Sequence, residues 1–104
     1  MTEKPNRPDN ALACRLMARR ARAAMLSTAL ASGDGWPYGS LVTVACDVDA
    51  SPLLLFSNLS DHTRNLATDD RASLLIEETA RLKNPQTGPR VTLVGRIAKT
   101  ADDR

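Results

Sequence analysis

The sequence predicts a mainly β domain of the α+β class, an antiparallel barrel or open sheet with helices packed at its ends. Three observations point there. Short runs such as "YGSLVTVACDV" and "RVTLVGRIAKT" are rich in β-branched and apolar residues. Turn signals, "SGDG" and then "DAS" before Pro52, separate the first runs closely enough for a consecutive meander. Only two segments carry helical signals, and 104 residues is the length of one compact domain.

In chain order, the segment from Asn10 to Ala24 has Leu12, Ala13, Leu16, Met17, Arg20 and Ala24 at helical spacing, with Asp9 or Asn10 available as the N-cap. Its arginines fall mostly on the opposite face, where solvent accounts for them. "MLSTALA" and "YGSLVTVACDV" then read as a hairpin, and "PLLLFS" as a third, well-buried strand. Ser60 and Asp61 suit a helix start, which predicts a short helix from Asp61 to Thr68 with Leu59, Leu66 and Ala67 facing inward. "RASLLIEET" is a fourth strand. After the polar loop "RLKNPQTGP", "RVTLVGRIAKT" is a fifth, with Gly95 as a candidate bulge. Five strands leave a small barrel short of closure.

Composition narrows the function. The net charge is a mild +2, with the basic residues of the first 22 positions assigned to a solvated helix face, so nucleic acid is not an expected partner. Cys14 and Cys46 lie far apart with no CxxC and no histidine spaced as a co-ligand, which predicts two reduced, buried thiols and no metal site. The opening "MTEKPNRPDN" does not read as a signal peptide, and the longest apolar runs are too short to span a bilayer. A cytoplasmic protein is expected. No GxSxG, HExxH or P-loop is present, and no catalytic residue stands out.

The one histidine falls in "SDHTRNL", at the predicted start of the short helix. A helix N-terminus presents N–H groups without intrahelical partners and a positive dipole end, so it attracts anions. Thr63 adds a hydroxyl, Arg64 a planar cationic fork and His62 a ring chargeable near neutrality. That set suits a phosphate. It equally suits a surface helix whose His62 and Arg64 are solvated or paired with Asp61, Asp69 or Asp70.

Taken together, "GDGWPYGSLVTVACD", "PLLLFSNLSDHTRNLATDDRASLLIEE" and "NPQTGPRVTLVGRI" resemble, in order and spacing, the pyridoxamine 5′-phosphate oxidase-like FMN-binding split barrels, nearest to their haem-utilisation branch. The resemblance implies a split β-barrel over residues 11–104 behind a disordered tail at 1–10, lacking the family's last strand. It further implies a homodimer with FMN at the interface. The flavin phosphate would fall to Ser57, His62, Thr63 and Arg64, with Asn65 beside them. The ring would lie along Ser40, Leu41 and Val42, partly against backbone groups, where Gly39 permits close approach. Trp36 and Tyr38 either line the pocket or pack the barrel, with packing the preferred reading, and Arg71 is read as a fold-level ion pair. The implied activity is an FMN-dependent oxidoreductase acting on an unidentified small molecule. The alternative is a flavin- or haem-binding protein without turnover. Haem, pyridoxal phosphate or a deazaflavin in place of FMN all remain open on sequence alone.

Overall fold

The computed structural model describes residues 9–56 and 59–100. Helix α1 spans Asn10–Arg20, and Asp9 caps it through Oδ1, which accepts from the Leu12 N–H at 3.0 Å. The helix stops short of the expected Ala24, because Ala23 and Ala24 already belong to strand β1 (Ala23–Ala29). Alanine favours helix intrinsically, but here Ala24 pairs with Val42 of β2 (Pro37–Cys46) and both are buried, so tertiary pairing overrides propensity. The buried face of α1 is Met17 and Ala18, whereas Leu12 and Leu16 remain partly in solvent. Two arginines of α1 are engaged rather than simply solvated: Arg20 grips Glu78 with two bonds of 2.9 Å, and Arg19 donates to the Val48 carbonyl at 3.0 Å.

Strands β3 (Pro52–Leu54), β4 (Arg71–Glu77) and β5 (Arg90–Arg96) complete one antiparallel sheet in the order β3-β2-β1-β4-β5. Helix α2 (Asp61–Thr68) links β3 to β4, and a short 3-10 turn at Pro85–Thr87 interrupts the loop before β5. The turn between β1 and β2 holds Asp34 and Gly35 at positive φ, a conformation that glycine and short polar residues tolerate best. One sheet face carries Ala24, Leu26, Val42, Val44, Leu74 and Ile76 into a core that Met17 joins from α1.

Several sequence expectations need correcting. "PLLLFS" yields only three strand residues, and they are exposed or half-buried; Leu55 just beyond is 89% exposed. Apolar composition had suggested burial, but an edge strand has a neighbour on one side only. Leu59 and Ala67 face outward, Leu66 is half-buried, and the fully buried residue of α2 is Asn65. Gly95 makes no bulge: β4 and β5 pair one-to-one from Arg71↔Arg96 to Glu77↔Arg90. Both cysteines are free as expected, yet half-buried rather than buried.

The opposite face of the sheet is uncharged through its middle. Leu41, Met25, Leu75 and Thr92 form one cross-strand row, and Gly39, Ser27, Ser73 and Val94 the next. Leu41 is 75% exposed there and Val94 84%. Charge appears only at the ends of this face, as Arg71 and Arg96 at one and Glu77 and Arg90 at the other.

Candidate functional site

Helix α2 begins where the sequence placed it, but its cap works differently. Ser60 holds the N-cap position without a side-chain capping bond, and its Oγ lies 2.7 Å from the Thr63 Oγ1. The Arg64 guanidinium folds back across the same turn, donating through Nη1 to the Leu59 carbonyl at 3.0 Å and through Nη2 to the Asp61 carboxylate. Asp61 also accepts from the Tyr38 hydroxyl at 3.1 Å, so the start of β2 is tied to the start of α2. That bond, and the negative charge behind it, raise the Tyr38 pKa above the ordinary phenol value. His62 is half-buried, with its ring 4.6 Å from the Phe56 ring and tilted against it.

His62, Thr63 and Arg64 thus share the mouth of α2. Asn65 is placed otherwise. It is 2% exposed, donates through Nδ2 to the Thr28 hydroxyl at 3.1 Å and accepts through Oδ1 from the Ala31 N–H at 2.9 Å. Its side chain therefore joins α2 to the end of β1. Ser57 lies outside the described residues.

On β2, the side chains alternate: Val42 is in the core, Ser40 is half-buried on the same face and Leu41 projects from the other. The backbone alternates as well. The Val44 N–H donates to Arg22, and the Leu30 N–H to the Trp36 carbonyl, so even-numbered residues of this strand direct their amides toward β1. Gly39 and Leu41 then direct theirs to the other edge. Among the described residues, β3 covers that edge only from Val44 to Cys46. Among the described residues, no strand pairs with the backbone of Gly39 and Leu41 on that edge, and this strand is the one that Tyr38 ties to α2.

The other end of α2 has opposite electrostatics. An open groove of about 490 Å³ is lined there by Ala29, Leu30, Asp34, Thr68, Asp69 and Arg71. Arg71, expected in a fold-level pair, instead pairs locally with Asp69 two residues before it and holds that carboxyl down to about 2 through its side-chain hydrogen bonds. A helix C-terminus beside carboxylates repels anions. The Ser60 end lies about 12 Å away across the eight residues of the helix.

Sequence reasoning weighed Tyr38 as pocket lining or packing and Asp61 as one of three partners for Arg64, but did not connect Tyr38 with Asp61, 23 positions apart. The spacing of Asp61 and Arg64, three residues apart on a helix, was the usable signal for their contact. Trp36, also read as packing, is 70% exposed. Among the described residues, no group of three or more His, Cys, Asp or Glu could hold a metal ion. No helix among them is long and apolar enough to cross a membrane.

Comparison with known proteins bears on the family and the fold. The chain is 46% identical over 71 residues to HOZ, an atypical chloroplastic heme oxygenase of Arabidopsis thaliana, a match covering 68% of this chain and 21% of that protein. It superposes on a heme-binding protein from Mycobacterium smegmatis with a TM-score of 0.80 at 34% identity, covering 93% of this chain and 39% of that one. The fold alone is shared with HutZ, a heme storage protein of Vibrio cholerae, at a TM-score of 0.71 and 19% identity over 100% of this chain and 67% of that one. The chain thus spans about a fifth of the plant relative and two fifths of the mycobacterial one. These neighbours are split-barrel folds, and the family model described as pyridoxamine 5′-phosphate oxidase matches residues 13–104; this chain belongs to that family and sits with its haem-utilisation branch.

Proposed function

We propose that the chain binds FMN, with the phosphate in the mouth of α2 and the ring along the open edge of β2, and acts as an oxidoreductase on a small molecule. The observation that carries this reading is the tie between the two halves of the site: the Tyr38 hydroxyl on β2 meets Asp61 in the turn that holds Arg64. One region thereby offers a cationic fork and helix amides for a phosphoryl group, and backbone donors and acceptors for a planar heterocycle. His62, Thr63 and Arg64 hold the phosphate, with Ser57 assigned to it by resemblance. Leu41 offers its side chain and backbone to the ring, and Ser40 and Val42 support that strand from the core side. Asn65 acts indirectly, by fixing α2 against β1. FMN, when bound, supplies the hydride and electron chemistry that the side chains lack.

The uncharged outer face supports a homodimer. Exposed Leu41, Met25 and Leu75 in one cross-strand row and Val94 in the next form a patch rather than the scattered apolar residues a monomer leaves in water, and charge is confined to the ends of this face. A second copy packed there also covers the ring site beside Leu41. Leu41→Arg places a charge in the uncharged middle row of this face and is expected to convert the dimer to monomer in sedimentation velocity. A monomeric parent chain removes this part of the reading.

Titration with FMN, followed by quenching of flavin fluorescence, tests the cofactor assignment. Arg64→Ala is expected to weaken binding by about 2 kcal/mol, roughly thirtyfold, through loss of one charge-assisted contact. Affinity unchanged in that variant puts the phosphate elsewhere. The named relatives favour a second reading, a haem-binding protein without flavin, for which His62 is the one imidazole available. Titration with hemin separates the two: a shifted Soret band that His62→Ala abolishes, with no quenching of FMN, selects haem.

A further inference from the structure

The same carboxylate that ties the site together also stands in the place a phosphate needs. Arg64 is the permanently charged group at the mouth of α2, and its Nη2 is held by Asp61 while its Nη1 is held by the Leu59 carbonyl. Asp61 is in turn anchored from β2 by the Tyr38 hydroxyl at 3.1 Å. It is also the acidic residue of the first turn of α2, so it offsets the positive end of the helix dipole as well. Both attractions that would draw a phosphoryl group to this turn are already partly spent on Asp61.

We propose that Asp61 is an internal competitor for Arg64, a specificity-determining residue that sets how tightly the mouth holds a phosphoryl group. This rests on the phosphate assignment made above. Without ligand, the carboxylate keeps the guanidinium folded across the turn. A phosphate dianion carries more charge and more acceptor oxygens than a carboxylate, so it displaces Asp61 from Nη2, whereas neutral ligands do not. Tyr38 keeps the displaced carboxylate nearby, so the exchange reverses as the ligand leaves. Breaking an exposed ion pair such as Arg64–Asp61 costs up to roughly 1 kcal/mol, so the competition weakens phosphoryl binding by about five- to tenfold.

The test is a double-mutant cycle read by binding rather than turnover, with FMN and riboflavin as paired probes. Asp61→Asn keeps the shape of the side chain and removes its charge. It is expected to tighten FMN about five- to tenfold and leave riboflavin, which lacks the phosphate, unchanged. In an Arg64→Ala background the same substitution should give no gain, because the competition acts through the guanidinium. A purely structural role for Asp61 predicts a lower melting temperature with FMN affinity unchanged or weaker, and that result overturns the proposal while the cofactor assignment stands. A gain that persists undiminished with Arg64→Ala overturns it too, since the effect would then be general repulsion. A parent chain that binds no FMN removes the cofactor assignment and this proposal with it.

Discussion

Leu26→Ala is expected to cost about 3 to 4 kcal/mol, a large share of the roughly 5 to 15 kcal/mol that holds a domain of this size together. Leu26 is 0% exposed. It stands on the central strand, opposite Leu74 of β4 and Ser40 of β2, and Leu74 is in turn opposite Leu93 of β5. Removing its side chain opens a cavity that neighbours held in sheet registers on both sides cannot collapse to fill. Urea denaturation followed by far-UV circular dichroism measures the loss as a lower midpoint at unchanged slope. A cost below about 1 kcal/mol would mean that the core is centred elsewhere.

The second large effect belongs to Asn65. Asn65→Leu keeps the size of the side chain but strands the Thr28 hydroxyl, itself buried, and deprives the Ala31 N–H of its acceptor. Each orphaned group costs about 1 to 3 kcal/mol, so the pair should cost about 3 kcal/mol, beyond what a hydrophobic replacement returns. Hydrogen exchange locates the damage. The amide of Ala31 should lose protection while the β4 and β5 pairing keeps its own. Uniform loss across the sheet would show that Asn65 supports the whole core rather than this one junction.

Asn65 also shows where sequence reading stops. It belongs to a motif of polar residues that resembles a cofactor-binding segment, and nothing local distinguishes an asparagine aimed at a ligand from one aimed inward. The distinction is set by Thr28 and Ala31, more than thirty positions earlier. What was legible is the part written in nearest neighbours: α2 runs over the predicted residues because Ser60 and Asp61 are strong start signals. The meander was legible for the same reason, since turn residues punctuate it. The extent of α1 was not, because "ARAAM" suits a helix until β2 offers it a pairing partner. Nor was the exposure of "PLLLF", since apolarity does not reveal which side of a strand has a neighbour. The family followed from motif order, whereas the grip of Asp61 on Arg64 needed coordinates to distinguish it from solvation.

The tie from Asn65 to Ala31 has a practical consequence. Ala31 opens the turn that ends at Trp36, the one tryptophan of the chain; there the Trp36 N–H donates to the Gly33 carbonyl, and the Trp36 carbonyl accepts from the Leu30 N–H. An event that shifts α2 is therefore passed to a water-exposed indole through a single amide bridge. Emission from that indole is a native optical gauge of the helix, readable without any label.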